Sequence, residues 1–430
     1  MVVAVLLLGA LPAPAVGFTG FSNLQADATF GQQMTFSVDL AGGAPDELEL
    51  LMRFTGSDST LVAPVQPSDD RATYVWDAAD RYVVPNTEIE YQWRATDAGR
   101  TTLSAEGSLL YDDDRPGLDW QSAVIGDATV HWYGDNEAVA RHMGELSAGG
   151  VAQAEELLGH QLDGPVDIFV YDAREDFFGA LGPGAREWFG AATFPPLRTT
   201  FMWLGAGPAS YLDTAIVHEV THIVFRDSTE NSFHEPAKWL NEGLATWAEE
   251  RSADGQRATV ESEASSGGLF SFDAITYNFP FGKRSTTLSY AMGTTMVEMI
   301  IDDYGEDAIA RIAEAYRAGA SDDEALEDGT SVPADRLYAS YYDAFGVDEP
   351  GPVEAAAIPP SNVDKPGGAH APGASSVGSS PASSDEAPPS ESVADAPIVV
   401  VVVVVGLAIL GIAGFAAWSA RRRGGNEEPS

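Results

Sequence analysis

Two short segments near the middle of the chain contain residue types that bind metal ions. His218-Glu219-Val220-Thr221-His222 lies within an apolar run, and Asn241-Glu242-Gly243 follows about twenty residues later. Residues four apart lie on one face of a helix, so His218 and His222 can present two imidazoles to one ion. Glu219 lies beside that face, where its carboxylate can reach a water molecule on the metal rather than the metal itself. The spacing predicts a metal site with Glu219 as a general base.

The third ligand and the identity of the ion follow from the same region. A catalytic zinc ion takes three protein ligands and keeps one position open, and Glu242 is the expected third ligand. His234, in a polar loop, is the rival for that place. Glu249 lies seven residues after Glu242, and it either orients a ligand histidine or is a solvated surface acid. The chain has no cysteine, so the site contains no thiolate, which argues against a purely structural zinc ion.

Two helices must position these side chains. Ser210 and Asp213 form a capping signature ahead of the apolar run, which predicts a helix that begins near Tyr211. The run is apolar on nearly all sides, which indicates a buried helix. A second helix, with Pro236 in its first turn, carries Glu242. Two histidines that are merely satisfied in the core are the alternative, but an unpaired buried carboxylate beside them would be costly.

The motif His218-Glu219-x-x-His222, together with Trp239-Leu240-Asn241-Glu242-Gly243-Leu244-Ala245, resembles the gluzincins, zinc metallopeptidases that include thermolysin and aminopeptidase N. Within them it is most similar to the peptidase MA-like metallohydrolases, over about residues 118–346. The resemblance implies a thermolysin-like catalytic domain, Zn2+ held by His218, His222 and Glu242, and a peptide or protein substrate. The extended motif of the metzincins would need glycine and histidine at Phe225 and Ser228, which excludes that class.

A further segment, Tyr290-Ala291-Met292-Gly293, resembles the Tyr-x-x-Gly of aminopeptidase N relatives. The resemblance implies that Tyr290 stabilises an oxyanion, whereas composition alone would make it a core aromatic. The Gly-x-Met-Glu-Asn motif that holds a free amino terminus in aminopeptidases is missing between Gly164 and Ser210. Endopeptidase activity is therefore at least as well supported as exopeptidase activity. The strand-like run 198–204 is expected to be a sheet edge that pairs with an extended substrate.

The amino-terminal part has a different pattern from the rest. Between residues 22 and 113, short runs alternate strictly between apolar and polar residues, with turn residues between them. This predicts an immunoglobulin-like β-sandwich over residues 18–114, which either binds a partner or packs on the next domain. Acidic residues 112–114 mark the boundary. Residues 115–346 mix strands with later helices, so the fold class is α+β. The predicted helices are 136–159, 211–226, 236–252, 287–303, 305–318 and 333–345.

The two ends of the chain predict where the protein resides. Residues 1–17 have the apolar run and small residues of a signal peptide. Residues 347–395 are rich in Pro, Ala, Ser and acids and predict a disordered tether. Residues 396–420 predict a single transmembrane helix, and three arginines begin the tail 421–430, which the positive-inside rule places in the cytoplasm. The sequence thus predicts a cell-membrane protein with its amino-terminal ectodomain outside the cell.

The charge of the chain excludes one class of partner. The 65 acidic residues outnumber the 23 basic ones, and the net charge is −42. Nucleic-acid binding needs basic surfaces, so nucleic acid is excluded as a partner. Two interpretations of the acidic surface remain. It is a solvated surface that suits a saline habitat or arises from an arginine-biased genome composition, or it attracts cationic substrates or calcium.

Three functions from different classes remain at this point. The leading hypothesis is a membrane-anchored extracellular zinc metallopeptidase. The second is a surface-binding protein that keeps the fold as a scaffold, although a scaffold would need the ligands and not the base Glu219. The third is a zinc hydrolase of a non-peptide amide or ester, because ligands and fold do not determine the substrate.

The predicted topology can be tested on intact cells. Added protease should cut within residues 347–395 and release a soluble fragment that contains residues 18–346, because a chain with few large apolar residues has no fold to protect it. Immunoblots against the two ends would follow the cleavage. If the carboxyl-terminal tail is the accessible end, the orientation is wrong.

Overall fold

The computed structural model describes residues 17–57, 59–182 and 190–351. Within them the chain has an α+β fold in which strands dominate the amino-terminal part and helices the carboxyl-terminal part. Nearly all of the predicted signal peptide and tether, and the whole of the predicted membrane helix 396–420 and tail, lie outside these residues. Among the helices that the structure describes, none has the length and apolar character needed to cross a membrane.

The amino-terminal part consists of two antiparallel sheets. Their strands are β1 (Gly20–Thr29), β2 (Gln33–Ala41), β3 (Glu47–Phe54), β4 (Leu61–Pro64), β5 (Arg71–Asp77), β6 (Thr87–Asp97), β7 (Arg100–Leu103) and β8 (Gly107–Tyr111). One sheet has the order β1-β2-β5 and the other β4-β3-β6-β7, with β8 also paired to β6. The alternating apolar residues of both sheets form one shared core. Within it, the ring centroids of Phe36 and Tyr91 are 5.1 Å apart. The predicted sheet domain is present, while its immunoglobulin type stays a prediction.

A third, mixed sheet supports the metal-binding segments. It contains β9 (Gln121–Ile125), β10 (Ala128–Trp132), β11 (Val166–Tyr171), β12 (Ala191–Phe194) and β13 (Thr199–Trp203), in the order β12-β13-β11-β10-β9. The prediction that 198–204 is the edge strand is wrong, because β13 is paired on both sides, with β11 and β12. In the described part of the chain, β9 is the edge strand on one side of the sheet, and on the side of β13 the edge strand is β12. Its four residues are all buried, so no alternating pattern revealed it.

The helices follow and surround this sheet. They are α1 (Glu137–Leu158), α2 (Arg174–Leu181), α3 (Ala209–Thr229), α4 (Lys238–Glu250), α5 (Asp254–Ser265), α6 (Asp273–Thr276), α7 (Lys283–Tyr304), α8 (Asp307–Arg317), α9 (Asp322–Thr330) and α10 (Ala334–Ala344). Six correspond to predicted helices, and α2, α5, α6 and α9 do not. The helix α5 buries only Val260 and Ala264, so its sequence lacks the apolar stripe that indicates a helix.

The predicted start of the metal-binding helix needs a correction. The helix α3 begins at Ala209, and no side chain caps it. Pro208 has the φ of −66° that suits the turn before a helix, and its carbonyl accepts hydrogen bonds from the amides of Tyr211 and Leu212. Asp213 therefore does not complete a cap, and its carboxylate pairs instead with His142 Nε2 at 3.0 Å.

The amino-terminal sheets are attached to the third sheet by polar contacts. Asn86 donates to Thr199 Oγ1 at 2.8 Å, and the Tyr82 hydroxyl donates to the carbonyl of Ala180 at 2.5 Å. At the predicted boundary, Asp113 is buried, pairs with Arg115 at 2.5 Å and accepts a hydrogen bond from the Tyr171 hydroxyl. The acidic turn is therefore part of the contact between the two parts.

The helices α4 and α7 pack unusually closely, backbone against backbone. A Cβ atom on Gly243 would lie 2.4 Å from the carbonyl carbon of Gly293, and one on Gly293 would lie 2.4 Å from the carbonyl oxygen of Trp239. Real Cβ contacts are essentially never shorter than 3.0 Å. Both glycines are thus required by the packing, which explains a glycine after Glu242 and another one turn after Tyr290.

Replacement of Gly293 tests this packing. Gly293→Ala should lower the free energy of unfolding by about 1–3 kcal/mol, because the added methyl group forces two helix backbones apart. Gly149→Ala is the matched control, since Gly149 is exposed within α1 and has open space around its Cβ position. That control should be about 0.5–1 kcal/mol more stable than the parent. Urea unfolding measures both, and equal stability of the two variants would contradict the packing.

Candidate metal centre

Three helices bring the predicted site residues together. The middle of α3 carries His218, Glu219 and His222, while α4 carries Glu242. The helix α3 packs against α4 and against the edge strand β12, and α7 packs against α4. All four of these side chains are at most 1% exposed. Two imidazoles and two carboxylates are therefore concentrated in a site that water barely reaches.

The geometry of the three predicted ligands suits one ion. The Oε2 atom of Glu242 lies 3.7 Å from Nε2 of His218 and 3.7 Å from Nε2 of His222. The potential ligand atoms of the three residues lie within 4.8 Å of one another. The described part of the chain contains no other cluster of three such residues. Three donor atoms at these distances surround a space of the size that a zinc ion with three protein ligands needs.

Hydrogen bonds on the far side of each imidazole orient the two rings. Nδ1 of His218 lies 2.9 Å from Oε1 of Glu249, and Nδ1 of His222 lies 2.8 Å from Oδ1 of Asn241. Both partners are acceptors, so each Nδ1 carries the proton and each Nε2 presents its lone pair to the centre. Such partners fix the tautomer of metal-binding histidines. Glu249 is thus an orienting acid rather than a solvated one.

The residues present fit a divalent cation. Among the described residues, no hydrogen-bond partner exists for Nε2 of His218, Nε2 of His222 or Oε2 of Glu242. Each unsatisfied buried polar atom costs about 1–3 kcal/mol, so three of them facing one another need a common partner. The Nδ1 atoms of both histidines are already hydrogen-bonded, so the two Nε2 atoms and Oε2 are the lone-pair donors that are left to bind an ion. A cation coordinated by all three would satisfy each of them.

Burial and the neighbouring charges shift the protonation of the ligands. Burial, helped by His218, lowers the pKa of His222 to about 4, which keeps its imidazole neutral. Burial would raise the pKa of Glu242, but the neighbouring His218 and the charge of Lys238 lower it to about 2. Burial opposes charge on His218 too, yet Glu242 and Glu249 raise its pKa. The extra proton on His218 stands where the cation would bind.

Glu219 has a different environment from Glu242. Burial raises its pKa to about 7, although the charge of His218 and the nearby Thr193 hydroxyl act in the opposite direction. Thr193, on β12, is hydrogen-bonded to Thr200 at 2.8 Å, and neither oxygen of Glu219 completes a hydrogen bond with a described residue. A carboxyl group with a pKa near neutrality and free oxygens can accept and return a proton at physiological pH.

Tyr290 and its neighbours form the side of the centre next to α7. The Tyr290 ring lies 6.4 Å from that of His218, and Glu242 is among the charged groups that act on its hydroxyl. Burial and the Glu242 charge raise its pKa well above 10, so the phenol keeps its proton and remains a donor. Phe279 packs on Tyr290 at 5.2 Å, and the ammonium group of Lys238 lies 5.4 Å above the Phe279 ring.

The structure brings together every residue predicted for the site. His234 is apart from it, and its ring packs 6.0 Å from that of Tyr316, so the structure gives no support to it as the third ligand. Sequence reasoning assigned no role to Asn241, Thr193 or Lys238. The position of Lys238 four residues before Glu242 was a usable signal, because side chains at that spacing meet on a helix. Nothing in the sequence indicated Thr193.

The region around the centre is similar to known proteins. Residues 147–335 match the model of the Peptidase MA superfamily. No protein with curated annotation matches the chain. An M1 zinc metallopeptidase from Deinococcus radiodurans is similar at 14% identity, over 75% of this chain and 91% of its own, with a TM-score of 0.31. An aminopeptidase N family protein from Idiomarina loihiensis is similar at 8% identity, over 72% of each chain, with a TM-score of 0.33.

The matched segment coincides with the centre. It begins within α1, ends within α10 and includes α3, α4 and α7 with all the side chains described above. The family match is independent of the distances measured at the centre, and the two agree on the same three helices. The proposed centre thus lies inside the segment, residues 147–335, that matches the model of the Peptidase MA superfamily.

Proposed function

We propose that this protein is a zinc-dependent peptidase that hydrolyses peptide bonds in extended substrates. The observation that carries the proposal is the buried set of three unpartnered ligand atoms with an unpartnered Glu219 carboxylate beside it. The family match supports a peptidase or a related metallohydrolase. A protein that used this fold only as a scaffold would have no need of a buried, unpaired Glu219, which is costly to fold.

His218, His222 and Glu242 would hold the metal ion, and Asn241 and Glu249 would orient the two imidazoles. A bound zinc ion supplies Lewis acidity, which lowers the pKa of a water molecule and polarises the substrate carbonyl. Glu219 accepts the proton of the attacking water and passes it to the leaving amine. Its pKa near 7 suits both transfers.

Two further elements would act on the substrate. The phenol of Tyr290 stays protonated beside the centre, so it can donate a hydrogen bond to the oxyanion that develops at the scissile carbonyl. The strand β12 lies next to α3 and, in the described part of the chain, pairs with a strand on one side only. An extended peptide that adds to this edge would have its backbone held by main-chain hydrogen bonds.

The ligand assignment predicts the metal content of variants. His222→Ala and Glu242→Ala should each abolish stoichiometric zinc binding, because the loss of one of three ligands leaves too few. His234→Ala is the control and should keep one zinc ion per chain. Elemental analysis of protein dialysed against a low zinc concentration measures this. Full zinc occupancy in Glu242→Ala would refute the assignment, and loss of zinc in His234→Ala would restore the rival ligand.

A second pair of variants separates catalysis from metal binding. Glu219→Gln should retain zinc but lose turnover by more than the ~10²–10⁴-fold typical of one acid–base group, because the residue acts in two proton transfers. Tyr290→Phe should lose roughly 10²–10³-fold, as for removal of one oxyanion donor. Cleavage of a peptide library by the zinc-loaded proteins measures both. A Glu219→Gln protein with the parent's rate would mean that the measured hydrolysis arises elsewhere.

A further inference from the structure

Lys238 lies directly beside the metal centre, although no motif includes it. It is the first residue of α4, one turn before Glu242, and its ammonium nitrogen is 3.4 Å from Oε1 of Glu242. The Lys238 side chain is 30% exposed, whereas that of Glu242 is 1% exposed. Most ion pairs one helical turn apart are at the surface and contribute little. This one has a buried carboxylate at its inner end, so the interaction is poorly screened by water.

The two oxygens of Glu242 have separate partners. Oε2 faces the Nε2 atoms of His218 and His222 at 3.7 Å each and has no hydrogen bond. Oε1 is the atom nearest the Lys238 ammonium group. The carboxylate is therefore divided, with one oxygen directed at the metal position and the other occupied by a cation of the protein itself.

The position of the ammonium group is restricted from a second side. Phe279 presents its ring 5.4 Å from the Lys238 nitrogen, and the other neighbour of that ring is Tyr290 at 5.2 Å. A cation over an aromatic face gains about 0.5–1 kcal/mol even where water reaches it. Among the described residues, Glu242 is the ion-pair partner of Lys238, so the lysine is held between that carboxylate and the ring.

The charge balance of the centre also favours a lysine at this position. When Glu219 is ionised, Glu219, Glu242 and Glu249 bring three negative charges to the centre, and a divalent ion balances two of them. Lys238 supplies the third positive charge. Without it, the whole negative charge of Glu242 would be available to the metal, and no ammonium group would hold Oε1.

We propose, on the basis of the proposed zinc site, that Lys238 is a positioning residue that keeps Oε1 of Glu242 away from the metal. Glu242 then coordinates through Oε2 alone, and a position on the ion remains open for water and substrate. The lysine thereby lowers the affinity for the metal and leaves one coordination position open. If Lys238 merely supported the fold, its replacement would weaken metal binding. If it is a positioning residue, its replacement should strengthen metal binding.

The test is Lys238→Met, which keeps the length of the side chain and removes its charge. Zinc affinity, measured by competition with a chelating dye, should increase roughly tenfold, because a positive charge near the ion is lost and the ammonium group no longer holds Oε1. In the cobalt-substituted protein, the visible absorption bands should weaken, as they do when cobalt gains a ligand. Lys238→Arg should retain the parent's values, and so should Lys283→Met, since Lys283 is exposed at the start of α7.

Each alternative result has a distinct meaning. Weaker or unchanged zinc binding in Lys238→Met, with cobalt bands like those of the parent, overturns the inference and leaves the proposed function intact. A parent protein that binds neither zinc nor cobalt overturns the proposed function and this inference together. Thermal unfolding of the metal-free proteins accompanies the titrations, so that a change in zinc affinity is compared between variants of equal fold stability.

Discussion

The arrangement of the centre depends on the contact between the backbones of α4 and α7. Gly243 and Gly293 let the two helices approach to a distance that no Cβ would permit. Glu242 precedes one of these glycines and Tyr290 lies one turn before the other, so the contact fixes the relative positions of a metal ligand and a hydrogen-bond donor. A displacement of about 1 Å between such groups would weaken any chemistry that requires both. The packing of two glycines thus determines the geometry of two functional side chains that are 48 positions apart in the chain.

Burial of the site raises a question of folding energetics. His218, His222, Glu219 and Glu242 are almost completely buried, and ionisable groups are rarely buried unless they are paired or bind a metal. Asn241 and Glu249 satisfy the outer nitrogens of the imidazoles, but the inner atoms have no protein partner in the described residues. A protein whose binding atoms face one another in this way gains folding stability when it binds its ion. Binding of the proposed ion would therefore stabilise the three helices as well.

Much of the centre could be predicted because helix geometry relates sequence spacing to spatial proximity. The spacing of His218 and His222 places them on one face without any tertiary information. Glu242 was predicted from the need of a catalytic zinc ion for three protein ligands, and His234 stayed its rival because nothing local makes α4 pack on α3. The strand β12 was missed because four buried residues show no period, and its neighbour β13 was taken for the edge. The spacing of Lys238 and Glu242 indicated that the two side chains meet. Which oxygen of Glu242 the lysine contacts became clear only from the structure, so its role at the centre was missed.

The short edge strand has a consequence for the proteins that this site would accept. Four residues of β12 offer only a few backbone groups, and those groups can pair only with a segment whose own amides and carbonyls are not already engaged. Helices and internal strands of a folded protein do not meet that condition until they open locally. The rate of cleavage of a folded protein would then depend on the free energy of that local opening. This free energy varies from near zero in loops to the full free energy of unfolding in the core. Selectivity would arise from the conformational freedom of the target as much as from its side chains, and compact proteins would survive where loosely folded ones do not.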